Sequence, residues 1–175
     1  MQFQAFFAVA ILSVLSLVSG CGGGSDTGSS AGTPTTINSL AVTSSTAGPN
    51  QQPIISPGLD NGSFNVGWSV SASDPYHVSL YISVDAVLSP SADIQFFQRN
   101  CGSQSTLYQC SSTGNFACRF TNQNTLACGT STLLDTSVNI TALLDAIPKA
   151  AHVIAQACNG LFTDCKTAAV LVQLQ

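Results

Sequence analysis

From Ser63 onward the chain alternates apolar and polar side chains with a period of two. Phe64, Val66, Trp68, Val70 and Ala72 are interleaved with Asn65, Gly67, Ser69 and Ser71. After an Asp74-Pro75 turn, Tyr76, Val78, Leu80, Ile82 and Val84 alternate with His77, Ser79, Tyr81 and Ser83. Successive side chains of a strand point to opposite faces, so each run predicts a strand with one apolar face. Two such runs joined by a short turn predict an antiparallel pair. Further candidate strands are Ile94–Arg99, Thr106–Cys110, Phe116–Thr121, Val138–Leu144, His152–Ala157 and Thr167–Leu174. Thr141–Ile147 has room for one helical turn, and no segment carries a long amphipathic helix. Several short strands divided by turn residues predict an all-β, immunoglobulin-like antiparallel β-sandwich over residues 54–175.

The N-terminal third has a different pattern. Phe3 to Val18 is an apolar run closed by Ser19 and Gly20, the length of a secretion-signal core and short for a membrane span. Residues 1–20 are therefore read as a cleaved leader. Gly22 to Thr36 has almost no apolar side chain to repay ordering. Residues 21–53 read as a Gly/Ser/Thr/Pro-rich linker, within which 37–43 are a candidate first strand. Thr46–Pro57 reads as a loop or a second piece of linker. A tether of roughly 15–30 such residues spans about 20–30 Å root-mean-square.

Val18-Ser19-Gly20-Cys21 closes the leader and resembles the lipobox of bacterial lipoproteins: an aliphatic residue, two small ones, then the cysteine to be modified. The resemblance implies diacylglyceryl transfer to the Cys21 sulfur, cleavage before Cys21 and acylation (typically palmitate) of the new amine. The partner so implied is a lipid bilayer, and the location the cell envelope. Met1–Gln4 departs from the usual leader in having no Lys or Arg. Gly22, where an Asp would retain the protein, permits onward transport to the outer membrane by analogy with enterobacterial sorting. One acyl chain holds a protein only marginally at about 0.8 kcal/mol per CH₂, whereas two or three make attachment effectively permanent.

Trp68 on an early strand, the Tyr76-His-Val-Ser-Leu strand after a Pro turn, and Leu143 to Gly160 together resemble a fibronectin type III domain. The resemblance covers about residues 54–175 and implies an immunoglobulin-like sandwich. The tyrosine of that family's penultimate strand is missing, with Ala151 or His152 in its place, and the family is usually free of disulfides.

The chain has seven cysteines. With Cys21 lipidated, Cys101, Cys110, Cys118, Cys128, Cys158 and Cys165 remain, an even set that predicts three disulfides in an oxidising compartment. Local pairing joins Cys101 to Cys110, Cys118 to Cys128, and Cys158 to Cys165 across a final hairpin, with Phe162 tucked under the last bridge. A nested scheme, Cys101–Cys128 with Cys110–Cys118, satisfies the same count. Closing a ten-residue loop contributes about 2–3 kcal/mol on the chain-entropy model. Zinc is disfavoured, since no Cys-x-x-Cys occurs and neither histidine neighbours a cysteine.

Composition narrows the function classes. Hydrophobic residues make up 45% of the 175, enough for a core. Only 7% are charged, against roughly 25% in ordinary soluble domains. With four cations, Arg99, Arg119, Lys149 and Lys166, and net charge −4, the chain has nothing to neutralise a run of phosphates. Nucleic-acid binding is excluded on that ground.

Catalysis finds little material. His77 and His152 are the only histidines, and no Gly-x-Ser-x-Gly elbow accompanies them. All eight acids are Asp, and Asp60, Asp74, Asp85, Asp93, Asp135, Asp145 and Asp164 sit beside turn formers or at strand ends. Asp60-Asn-Gly-Ser-Phe-Asn is oxygen-rich but lacks the acid spacing of a calcium loop. No catalytic residue, metal or cofactor is assigned. Phe96, Phe97, Tyr108, Phe116, Phe120 and Phe162 read as core packing, or as an aromatic surface for a protein or glycan.

The function expected is a lipid-anchored envelope module, non-catalytic, presenting a β-sandwich for binding or assembly. An envelope enzyme built on an Asp/His or metal site is the alternative. An accessory subunit of an envelope complex is the second.

Overall fold

The computed structural model describes residues 32–102, 110–130, 133–134 and 137–175, with backbone alone at 130 and 133–134. The first strands are β1 (Thr36–Thr43), β2 (Thr46–Ala47), β3 (Pro53–Ile55) and β4 (Ser63–Ser71). They are followed by β5 (Tyr76–Ser83), β6 (Ile94–Cys101), β7 (Thr113–Phe120) and β8 (Thr125–Thr130). The chain ends with β9 (Leu133–Leu134), β10 (Val138–Asn139), β11 (Lys149–Asn159) and β12 (Cys165–Leu174). One sheet has the order β1-β4-β7-β8-β10, with β9 against β8, and the other β2-β3-β12-β11-β5-β6. Every strand pairing is antiparallel except β3 with β12. The result is an all-β sandwich of two mainly antiparallel sheets. β12-β11-β5 stand in the G-F-C relation of the immunoglobulin sandwich and β1-β4-β7 in the A-B-E relation. The outer position beside β7, taken by strand D in immunoglobulins, is filled by β8, which follows β7 in the chain.

The period of two decides what is inside. β4 contributes Phe64, Val66, Trp68 and Val70 to the core, and β5 contributes Tyr76, Val78, Leu80 and Ile82. Val153, Ala155 and Ala157 of β11 and Val172 and Leu174 of β12 complete the layer. Burying each large side chain contributes about 1.5–3 kcal/mol, so the core needs no charged group to hold it. Trp68 stacks on Phe116 at 5.3 Å and meets Phe97 edge-on at 5.8 Å. The Arg99 guanidinium lies 4.6 Å from the Phe97 ring centroid, a cation–π contact at the margin of the core.

Several expectations are corrected. β4 and β5 do not pair with each other; the chain crosses from one sheet to the other at Asp74-Pro75. Alternation states which face of a strand is apolar, and facing two such strands across a core satisfies it as well as pairing them. The Thr46–Pro57 segment carries β2 and β3, and β1 to β3 all lie in or beside the stretch read as linker. Main-chain bonding to a neighbouring edge, not side-chain pattern, recruits β3, whose Ile54 and Ile55 lie beside Gln173 and Leu174. Val138–Leu144 is a strand only over Val138–Asn139 and then turns as a 3-10 segment over Thr141–Leu143. Most of the candidate strand Thr106–Cys110 lies outside the described residues.

The three disulfides follow the local scheme, Cys101–Cys110, Cys118–Cys128 and Cys158–Cys165. β8, which the alternation reading misses, explains the second. Cys118 and Cys128 are register partners of a β7–β8 hairpin, turned at Thr121–Asn124. Leu126 and Cys128 face inward together, so counting half-cystines as apolar reveals the strand.

Candidate functional site

The hairpin joining β11 to β12 ends in Asn159-Gly-Leu-Phe-Thr-Asp164. Its base is closed by Cys158–Cys165, which are direct partners across the two strands. The Asn159 carboxamide braces the interior. Its Oδ1 accepts the N–H groups of Thr163 at 2.9 Å and Asp164 at 3.3 Å, and its Nδ2 donates to Thr163 Oγ1 at 2.9 Å. The Phe162 N–H donates to the Asn159 carbonyl at 2.9 Å, and the Asn159 N–H to the Asp164 carbonyl at 3.0 Å. With polar groups and disulfide consumed in holding the loop, its apolar side chains are turned outward. Leu161 is 81% exposed and Phe162 55%.

Phe162 thus does not tuck beneath the bridge. Its backbone takes φ = 57°, a left-handed conformation that is costly for a bulky residue. The ring lies flat against His77, 4.2 Å between centroids and 15° between planes. His77 Nδ1 is 2.6 Å from Asn100 Oδ1, so the imidazole is held from both sides. Gly160 passes so close to Pro75 that a Cβ there would lie 3.1 Å from the Pro75 carbonyl oxygen.

The first described residues of the domain run into this same end. Thr35 donates its N–H to Asp164 Oδ2 at 2.6 Å, and Ser73 Oγ donates to the Thr33 carbonyl at 3.1 Å. The Thr35 N–H, followed by the Lys166 ammonium, holds the Asp164 carboxyl below its ordinary pKa. Lys166 Nζ lies 3.1 Å from Asp164 Oδ1. A shallow cleft opens nearby between Thr33, Val70, Asp74, Tyr76 and Ser112. Burial raises the Tyr76 hydroxyl's pKa, against the opposing influence of the Trp68 indole, and this hydroxyl donates to the Ser111 carbonyl.

The opposite end of the sandwich carries the β5–β6 loop. Asp85 Oδ1 accepts the Val87 N–H at 2.8 Å and Asp93 Oδ2 the Ser89 N–H at 2.6 Å. The shaped loop leaves Val84 and Val87 exposed, Val87 at 72%. Ile147, on the connection into β11, is exposed as well.

His77 and His152 share the outward face of one sheet but not a site. His77 is opposite Cys158 and His152 opposite Ser83, six residues apart along β11, or about 20 Å. Asp85 and Asp93 cap a loop, Asp145 pairs with Lys149, and Asp164 holds Thr35. Asp60 begins a 3-10 turn, Asp60–Gly62. Among the described residues no three His, Cys or Asp are gathered to hold a metal, and no helix is long and apolar enough to cross a membrane. Of the aromatic set, Phe96, Phe97, Phe116 and Phe120 are buried, and Phe162 alone of the described members is exposed. Cys21, Tyr108 and Asp135 lie outside the described residues.

The sequence places Phe162 on the hairpin without its exposure. It places Val84 on the apolar face of the second run, whereas β5 ends at Ser83 and Val84 is exposed beyond it. Nothing in the pattern singles out Leu161 or Val87. Asn159 followed by a Ser/Thr at the loop's far side was the signal for a self-braced tip. No family model matches this chain, and no curated protein or solved structure matches it.

Proposed function

We propose that the protein is an exported lipoprotein, anchored through acylated Cys21, whose β-sandwich is a non-catalytic binding module of the cell envelope. The observation that carries this reading is the cysteine arrangement. Six of the seven cysteines bond to one another in three pairs, as befits an oxidising compartment. Cys21, the seventh, stands behind Val18-Ser19-Gly20 at the end of an apolar leader. The two-sheet architecture supports the resemblance to fibronectin type III domains, which share it. The binding surface is the loop end carrying Val84 and Val87, which the braced β5–β6 connection presents away from the end where the chain enters. Preorganised loops of this kind bind at low ordering cost. Gly22 after the lipidated cysteine, where no Asp retains the protein, permits onward transport to the outer membrane.

Labelling growing cells with radioactive palmitate and fractionating them tests the reading. The wild-type protein takes up label, sediments with the outer membrane and starts at Cys21. The Cys21→Ala protein takes up none and is released or left unprocessed. A Cys21→Ala protein that still matures and stays membrane-bound would refute lipid anchoring.

A further inference from the structure

We propose that Leu161 and Phe162 form a second, non-covalent membrane contact that seats the anchored domain on the bilayer by its hairpin tip. The inference rests on the lipid-anchor reading and adds to it an orientation.

Three observations converge. The tip is apolar and exposed at two adjacent residues, on a domain whose other large aromatic side chains among the described residues are buried. Exposed aromatic and aliphatic side chains side by side mark surfaces for proteins or membranes, and aromatic rings favour the headgroup level of a bilayer. The tip is also held in shape before anything binds, by Cys158–Cys165, the three Asn159 side-chain bonds and the His77 stack. Little ordering remains to oppose insertion.

Position selects the bilayer over a protein. The entering chain is bonded to the tip itself, through Thr35 to Asp164. Thr35 is fourteen positions after Cys21, and a Gly/Ser chain of that length spans about 20 Å root-mean-square. The tip therefore lies at the end of the domain that the tether enters. Val84 and Val87 stand beyond the far ends of strands such as β11, whose 11 residues span about 36 Å. Two apolar side chains bind a bilayer weakly from free solution. A tether that confines them to its surface raises their effective concentration and makes a weak contact persistent. Lys166, beside the tip and half-exposed, lies where lipid phosphates would be. Seated this way, the domain turns its β5–β6 loop away from the membrane.

The test uses the mature lipidated protein in phosphatidylethanolamine–phosphatidylglycerol vesicles, with and without brominated acyl chains. Phe162→Trp and Val87→Trp are compared with the parent, whose Trp68 supplies a constant background. Disulfide mapping verifies that each variant is folded, and mass spectrometry of the N-terminal peptide reads Cys21 acylation in the same samples. Expected for Phe162→Trp is a blue shift of the added emission and loss of most of it in brominated vesicles, with the added emission of Val87→Trp unaffected. Combining Leu161→Asp with Phe162→Trp should abolish both effects while acylation stays complete. An acylated Phe162→Trp protein quenched no more than Val87→Trp overturns the tip contact and leaves the anchor standing. An indole at position 162 shielded from an aqueous quencher in native membranes, yet insensitive to bromine, means that a protein covers the tip and also overturns it. Unmodified Cys21 overturns the anchor and this inference with it.

Discussion

The backbone N–H of Thr35 donates to the Asp164 carboxylate at 2.6 Å, joining positions 129 residues apart in sequence. This bond sews the start of the described chain to the last hairpin, and it makes the junction sensitive to acid. The folded pKa of Asp164 is lowered, first by the Thr35 N–H and then by Lys166. A lowered carboxyl binds fewer protons folded than unfolded, so its contribution is complete above the unfolded pKa of about 3.9 and is lost as pH falls through the folded value. The protection of the Thr35 amide, its exchange rate measured against the intrinsic rate at each pH, should fall below pH about 4 while β11 amides remain protected. Asp164→Ala should give the same local loss at neutral pH. Thr35 exchange that ignores both changes would contradict the assignment.

Gly62 occupies φ = 76°, and a Cβ there would lie 1.7 Å from the Phe120 carbonyl oxygen. Gly62→Ala combines the left-handed penalty, about 1–2 kcal/mol, with an overpacking cost of about 1–3 kcal/mol. A loss of at least ~2 kcal/mol is expected in urea unfolding. Gly67→Ala, whose nearest neighbour is 3.7 Å away, should change stability by less than about 1 kcal/mol.

Gly114 is the floor on which Trp68 lies. The two are register partners of β4 and β7, and a Cβ at 114 would lie 2.2 Å from the indole ring. Gly114→Ala should displace the ring, disturb its stacking on Phe116 and cost about 1–3 kcal/mol. Trp68 fluorescence and the denaturation midpoint report both; an unchanged emission spectrum and midpoint would show that the ring tolerates the methyl group.

The disulfides should open in order of burial. Cys118 and Cys128 are in the core, as are Cys101 and Cys110, whereas Cys165 is partly exposed at the hairpin tip. Under graded reductant in native conditions, alkylation should label Cys158 and Cys165 first and Cys118 and Cys128 last, since exchange requires access to sulfur. Labelling of Cys118 before Cys165 would reverse the assignment.

Part of the site was legible from residues alone. Cys158 and Cys165, at a sequence separation of 7 around Asn159-Gly160, read as a clamped hairpin, and β11 and β12 pair across it in that register. The orientation of Phe162 was not legible, because it depends on Asn159 filling the loop interior and on His77 arriving from β5. The Thr35–Asp164 bond was equally hidden. A main-chain donor leaves no mark in the side-chain pattern.

The sequence by itself determined which face of β4 and β5 is apolar and, with the further short candidate strands, an all-β sandwich, because side-chain direction in a strand has a strict local period. It also limited the six domain cysteines to pairing schemes of which the local one is the simplest. Only the tertiary structure decided that β4 and β5 face each other across the core, and that β3 joins β12 in parallel. It alone turned Leu161 and Phe162 outward beside the entering chain. Strand neighbours are chosen by main-chain bonding and by packing between segments remote in sequence, and neither is written in the alternation of any one strand.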